Sequence, residues 1–277
     1  MAKQAGGAVV VQYGETVVFV AAQSGPPRAG IDFFPLTVDY RERTAAAGKF
    51  PGGFIKREGR PTLKEVLTSR LTDRPIRPLF PEGYHDEVQV MGNVLACDIE
   101  NDPDVLSIIG ASAALGLAPV PFQGPIAAVR IGRVDGEFVV MPTHQQLETS
   151  TLDLIVAGTK HSVLMIEGFA QQLPEEVMVD AINLAQKEIA GLCDFQEEFF
   201  AKVGRPRVEF AALPPNPFTN MCREQMYGPY REAKMTAGKH ERAEAIEAVK
   251  KEWKERVFPN GIEVTPEGAT LEQFKKA

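Results

Sequence analysis

The stretch from Asp32 to Thr62, DFFPLTVDYRERTAAAGKFPGGFIKREGRPT, holds the residues best suited to chemistry with a polyanion. Arg41, Arg43, Lys49, Lys56, Arg57 and Arg60 sit among Gly48, Gly52, Gly53 and Gly59, with Phe50, Phe54 and Ile55 interleaved. Cations neutralise phosphates, and aromatic rings stack on unpaired bases. Glycine lets a backbone approach a ligand closely. The same composition also fits a solvated loop whose phenylalanines tuck into the core, and both readings stand at this point. A second cluster, Arg70, Arg74 and Arg77, shares one helix face. It reads as a phosphate-facing stripe or as a salt-bridged face pairing with Asp73, Glu82 or Asp86, the latter preferred for Arg74 and Arg77.

Metal-assisted phosphoryl chemistry needs convergent carboxylates, because Mg²⁺ takes hard oxygen ligands. Between Met141 and Gly158 only Glu148 and Asp153 qualify. A lone Asp at the start of a strand reads as a turn or capping residue before it reads as a ligand. Asp98, Glu100, Asp102 and Asp104 are denser, but their spacing around Pro103 suits a loop and a helix N-terminus, where the helix dipole favours negative charge. No GxxxxGK[ST], GxSxG or HExxH pattern occurs. Cys97, Cys193 and Cys222 are widely spaced, and His85, His144, His161 and His240 are scattered. This excludes a disulfide framework or zinc cluster and fits a reducing, cytoplasmic setting. A net charge of −7 argues against wholesale coating of nucleic acid but leaves room for the local basic loop. No apolar run is long enough to span a membrane, and no signal-peptide layout opens the chain.

The elements that must position these residues are legible from periodicity. Ala8–Gln12 and Thr16–Ala22 read as a hairpin. Asp32–Tyr40 reads as a strand with a break or edge at Pro35, and residues 41–60 as a long loop. Thr62 and Glu65 form a capping-box pattern opening a helix. Leu63, Val66, Leu67 and Leu71 repeat at helical spacing and are expected to face the core; Pro75 and Pro78 are expected to end it. Glu87–Cys97 reads as a strand, and Pro103 to Leu117 as a helix whose small residues suit close packing on a sheet. Ile126–Val134, Glu137–Met141, Leu152–Ala157 and Ser162–Glu167 read as four strands. Pro174 opens a further helix with Val177, Met178, Ala181, Ile182 and Ala185 inward. The expected organisation is an α+β domain of mixed sheets and packed helices over 1–193, a proline-rich linker over 194–219, and a small all-α domain over 220–277. In the last, Glu241–Val257 carries Ala245, Ile246, Val249 and Trp253 on one face, and a third helix is expected near Pro266.

These segments carry a family resemblance. AKQAGGAVVVQYGETVVFVAA, DFFPLTVDYRERTAAAGKFPGGFIKREGRP, LTDRPIRPLFPEGY, IIGASAALGLAPVPFQGPIAAVRIG and LDLIVAGT resemble the first RNase PH-like core of bacterial polynucleotide phosphorylases. The resemblance runs from about Ala2 to Glu197, and the helices after about Asn220 look like that family's all-α linker domain. DFFPLTVDYRER together with KREGRP is its most specific part.

The resemblance implies 3′ to 5′ RNA degradation by phosphorolysis, with inorganic phosphate as co-substrate, Mg²⁺ as cofactor and nucleoside diphosphates as products. It also implies a homotrimer, degradosome-type partners, and a second core with KH and OB-fold modules beyond Ala277. A β segment is expected ahead of Met1, so the chain is expected to be a piece of a longer protein. The family's Phe-Phe-Arg-Arg loop, which grips single-stranded RNA, falls on Phe54, Ile55, Lys56 and Arg57. Lys56 keeps the charge without the planar guanidinium. Ile55 lacks a stacking ring, a loss of about 1–3 kcal/mol per stacked base. Arg60, Arg41 and Arg43 are expected to support RNA binding.

In the family the metal and phosphate sit in the second core, on an Asp pair six residues apart and on paired serines. Here Asp153 matches one Asp, Leu147 stands for the other, and Pro103 and Asp104 stand near the serines. No catalytic residue is therefore expected in this core. Two rival classes remain: a self-sufficient phosphorolytic exoribonuclease using Asp98, Asp102, Asp104 or Asp153, and a scaffold domain without RNA contact.

Overall fold

The computed structural model describes every residue except 28, 29, 31, 32, 212–215, 260–262, 266, 267 and 277. The chain divides into two compact units, Met1–Ala212 and Leu213–Ala277. In the first unit, β1 (Gly7–Tyr13) and β2 (Thr16–Gly25) form the expected hairpin, turning at Gly14. β2 pairs antiparallel with β4 (Glu87–Ala96), and β3 (Leu36–Arg41) lies parallel to β4, giving the order β1-β2-β4-β3. The expected strand start at Asp32 lies outside the described residues; β3 begins just after Pro35, which has no N–H for the ladder. The second sheet is antiparallel with the order β6 (Glu137–Val140), β5 (Ala127–Val134), β7 (Leu152–Gly158) and β8 (Val163–Ala170). All four strands lie within a few residues of the expected runs.

Helices α1 (Leu63–Ile76) and α2 (Asp104–Leu117) pack between the two sheets, and α4 (Glu175–Val203) covers the outer face of the second. A short helix, α3 (His144–Thr149), was not anticipated from periodicity; Thr143 and Gln146 give it a capping box. Both faces of β5 and β7 are buried, Ala128, Ile155 and Ala157 toward α2 and Ala127, Val129 and Val156 toward α4. The mixed sheets and packed helices are the expected α+β class. Close approach of α2 to the first sheet requires small residues. A Cβ on Gly110 would lie 2.6 Å from a Val20 methyl, and one on Gly7 only 2.0 Å from the Ala114 carbonyl oxygen.

Helix α1 differs from expectation in its rotation. Its capping box is present: Thr62 accepts from the Glu65 N–H and Glu65 accepts from the Thr62 N–H. Yet Leu63, Val66 and Leu67 are exposed, Leu71 is half-buried against the core, and the buried face is Glu65, Thr68, Thr72, Pro75 and Ile76. Hydrogen bonding decides the rotation. Glu65 also accepts from the Glu42 N–H, and Ser69 Oγ accepts from the Tyr40 N–H, so the polar side docks on β3 and the chain beyond it. Pro75 sits in the last turn rather than ahead of it.

The boundary expected at 193 falls inside α4. This helix stays attached to the core as far as Gln196, whose amide donates to the Ile126 carbonyl, and it ends at Gly204 in a left-handed conformation. The expected linker at 194–219 therefore begins with about ten helical residues. Its proline content misleads because the prolines come only after the helix has closed.

The second unit holds α5 (Thr219–Met221), a π-helical turn Cys222–Met226, α6 (Tyr227–Lys234), α7 (Lys239–Val257) and α8 (Leu271–Lys276). Trp253 is buried on α7 as its spacing implies, and Phe218, Phe258 and Phe274 form a ring cluster. The helix start expected at Pro266 lies outside the described residues. Among the described residues no helix is long and apolar enough to cross a membrane.

Gly110→Val should cost about 1–3 kcal/mol in urea unfolding through overpacking. Leu67→Ala, on an exposed face, should stay within about 0.5 kcal/mol.

Candidate functional site

The cationic loop connects β3 to α1, so both of its ends rest on the core. A 3₁₀ turn over Thr44–Ala47 begins it, closed by Gly48 at φ 67°. Glu58 then reaches back, its Oε1 accepting from the Thr44 N–H at 3.0 Å and from the Thr44 hydroxyl at 2.9 Å. This clasp draws the far end of the loop onto its start. Between them Gly53 takes φ 77° and Lys56 φ 51°, a left-handed conformation uncommon for a side chain larger than Asn.

The phenylalanines do not tuck into the core. Phe54 is fully exposed, and Phe50 and Ile55 are 91% and 75% exposed. Among the described residues, Arg43, Lys49, Lys56, Arg57 and Arg60 make no ion pair, while Arg41 lies 3.4 Å from Asp39. Phe54, Ile55, Lys56, Arg57 and Arg60 thus project together from one loop as apolar groups and unneutralised cations. Arg43 is exposed at the loop's start and Arg41 half-buried at the end of β3. Two members of the other arginine cluster are structural: Arg77 binds Asp73 and the carbonyls of Phe34 and Leu36, and Arg74 pairs with Glu167, while Arg70 is exposed.

Behind the loop lies a network of buried charge that the sequence reading missed. Arg130, on β5 and 9% exposed, donates from Nη2 to Asp104 at 2.6 Å and from Nη1 to Asp102 at 3.4 Å. Its Nε lies 3.4 Å from Asp153 Oδ1 but has no hydrogen bond in good geometry. Lys64 on α1 continues the chain of charge, 3.0 Å from Asp102 and 3.1 Å from Glu42, and Glu42 accepts from the Tyr40 hydroxyl at 2.7 Å. An arginine inside the apolar run AAVRIG, with acidic residues at 102 and 104, was the available signal. Periodicity could not say that they meet.

Burial pushes the Asp104 carboxyl up to about 6, with Arg130 pulling against that shift and Asp102 adding to it. Asp102 is partly buried, which acts to raise it, but Lys64 and Arg130 more than offset this and hold it below its usual value. Asp98 belongs elsewhere. Burial acts to raise it, yet hydrogen bonds from Asn101, Glu100 and Glu15 hold it well below the usual carboxylate range, as a loop-fixing acceptor. Glu100 is exposed in the same loop.

These residues do not fit a divalent cation. Asp102, Asp104 and Asp153 surround a guanidinium, which repels a second cation, and Leu147 offers no oxygen. Among the described residues no group of three His, Cys, Asp or Glu is placed to hold a metal ion.

Comparison with known proteins fits this geometry. Residues 1–121 match the family model described as 3′ exoribonuclease family, domain 1, and residues 124–188 match domain 2 of the same family. The chain belongs to the 3′ exoribonuclease family. It is 54% identical over 260 residues to the polyribonucleotide nucleotidyltransferase of Rhodopirellula baltica, a match covering 94% of this chain and 34% of that protein. The Heliobacterium modesticaldum polyribonucleotide nucleotidyltransferase is 50% identical over 262 residues, 94% of this chain and 37% of its own length. The Persephonella marina protein of the same name is 55% identical over 208 residues, 75% and 29% of the two chains. The chain spans about a third of the length of these curated relatives.

Replacing Arg130 by Met leaves buried carboxyls without their counter-charge, which should cost about 3–5 kcal/mol at neutral pH. In the intact protein the raised Asp104 carboxyl favours the fold below the ordinary carboxylate range, and that contribution is lost as pH rises through about 6. Without Arg130 this carboxyl holds its proton to still higher pH. The difference in urea-unfolding stability should therefore widen as pH rises through about 6 and narrow as it falls. A pH-independent difference would contradict the ionic role of Arg130.

Proposed function

We propose that this chain is the front part of a polyribonucleotide nucleotidyltransferase, and that its core guides single-stranded RNA while phosphorolysis takes place elsewhere in the complete enzyme. The observation that carries this reading is the Thr44–Glu58 clasped loop, which presents exposed Phe54 and Ile55 beside Lys56, Arg57 and Arg60, cations without an ion pair among the described residues. Cations meet the RNA backbone and Phe54 stacks on a base, a mode that tolerates any sequence. Ile55 contributes apolar contact without stacking. Arg43 adds a phosphate contact near the loop's start, and Arg41 supports it from β3.

In the family reaction an oxygen of inorganic phosphate attacks the terminal phosphodiester, and the 3′-terminal nucleotide leaves as a nucleoside diphosphate. In this reading the Mg²⁺ of that reaction lies outside this chain, and what supports it is that Arg130 already sits among the carboxylates here. Support for trimer formation comes from exposed apolar residues in two places: Val10, Met91 and Leu95 on the outer face of the first sheet, and Leu63, Val66 and Leu67 on the solvent side of α1. Neighbouring apolar residues left in water suit contact with another subunit. Free thiols at Cys97, Cys193 and Cys222 suit a cytoplasmic setting.

The test is the salt dependence of binding to single-stranded RNA. Each phosphate contact contributes a slope of about −0.7 in log affinity against log salt. The double variant Lys56→Ala, Arg57→Ala should weaken binding and flatten the slope by about 1.4. Unchanged affinity and slope would remove the loop from the RNA path and favour a scaffold role.

A further inference from the structure

The second unit contains a groove unrelated to the RNA loop. It encloses about 1090 Å³ and is walled by α7, α8 and the continuous helical run from Thr219 to Lys234. Its floor includes Cys222, Met226 and Tyr230, three residues at helical spacing that make an apolar stripe about 12 Å long. Leu271 and Phe274 of α8 and Ala248 of α7 complete it.

Its rim is basic. Arg223, Lys251, Lys254 and Lys275 line it and make no ion pair among the described residues, while Lys250 pairs with Glu247 at 3.3 Å, the one acidic lining residue. In a chain of net charge −7, such a concentration of unpaired cations around apolar surface selects an occupant with apolar and negative faces.

The rings do not suit nucleic acid. Phe274 packs edge-on against Phe218 and Phe258, and Lys234 lies over the Tyr230 ring at 5.7 Å, so these two serve as floor and only Tyr227 stands free. A lengthwise apolar stripe between helices matches the contact face that one helix offers another.

We infer that this groove docks an amphipathic α-helix of a partner protein, one whose apolar stripe is flanked by carboxylates. Apolar side chains at i, i+3/i+4 and i+7 would seat on Met226, Tyr230 and Phe274, with Glu or Asp on either side meeting Lys251, Lys254 and Arg223.

The experiment uses the whole chain and three fluorescent probes. These are a designed Leu/Glu amphipathic helix, a scrambled peptide of the same composition, and single-stranded oligo(A). The helix should bind and the scrambled peptide should not. Lys251→Glu with Lys254→Glu should weaken the helix about tenfold, a change of about 1.4 kcal/mol. Ala248→Glu, at an exposed wall position that tolerates a helix former, should weaken it independently by filling the groove. Far-UV circular dichroism verifies that both variants stay folded. Equal binding of the two peptides, or helix binding indifferent to these substitutions, overturns the proposal. Loss of oligo(A) binding in the groove variants, with the helix probe not bound by the native chain, overturns it in favour of a nucleic-acid groove. RNA-loop variants leave helix binding unchanged, so this inference and the RNA reading fail separately.

Discussion

A guanidinium buried among three carboxyls sets the arrangement of the first unit. Arg130 enters from β5, Asp102 and Asp104 from the start of α2, and Asp153 from β7, so one planar cation ties the second sheet to the helix packed on it. Lys64 extends the tie to α1, and Glu42 and Tyr40 extend it to the end of β3. A buried charge is tolerable only with its partners in place, which makes this cluster a strong constraint on register and a weak source of net stability. The same constraint bears on function. Carboxyls that must answer Arg130 are not available to a metal, and a site built around a cation does not suit a second one.

The loop that faces RNA in our proposal inherits its position from this scaffold. β3 delivers its first residues and α1 receives its last, and both anchor in the charged network or beside it. The Thr44–Glu58 clasp shortens the free span to the residues that carry exposed rings and cations. Long side chains on an unconstrained loop would lose more conformational entropy on meeting RNA. A loop fixed at both ends and closed on itself loses less, which suits the RNA-guiding role proposed for it.

Much of this was legible in the sequence where local pattern decides structure. Strand-like runs gave the strands, Thr62 and Glu65 gave the start of α1, and the small residues of α2 gave close packing on a sheet without saying which one. Rotation of α1 was not legible, because Leu63, Val66 and Leu67 have the spacing of a core face while hydrogen bonds to Glu65 and Ser69 turn the other face inward. The far end of α4 was obscured by the prolines that follow it. In the candidate site, the loop residues were readable from composition, since cations and rings there lie close in sequence. Whether Phe50 and Phe54 point outward depends on the conformation of the glycines between them. The Arg130 network was invisible because its members come from five separate elements, and only tertiary structure brings them together.

The central claim is that this core carries RNA without cleaving it. Its most direct test is nucleoside diphosphate release from poly(A) by this chain, with Mg²⁺ and inorganic phosphate supplied and RNA binding measured in the same solution. The account predicts bound RNA and no release. Sustained release that disappears in Asp153→Asn would show that Asp153 serves a metal in spite of Arg130, and that the core has an active site of its own.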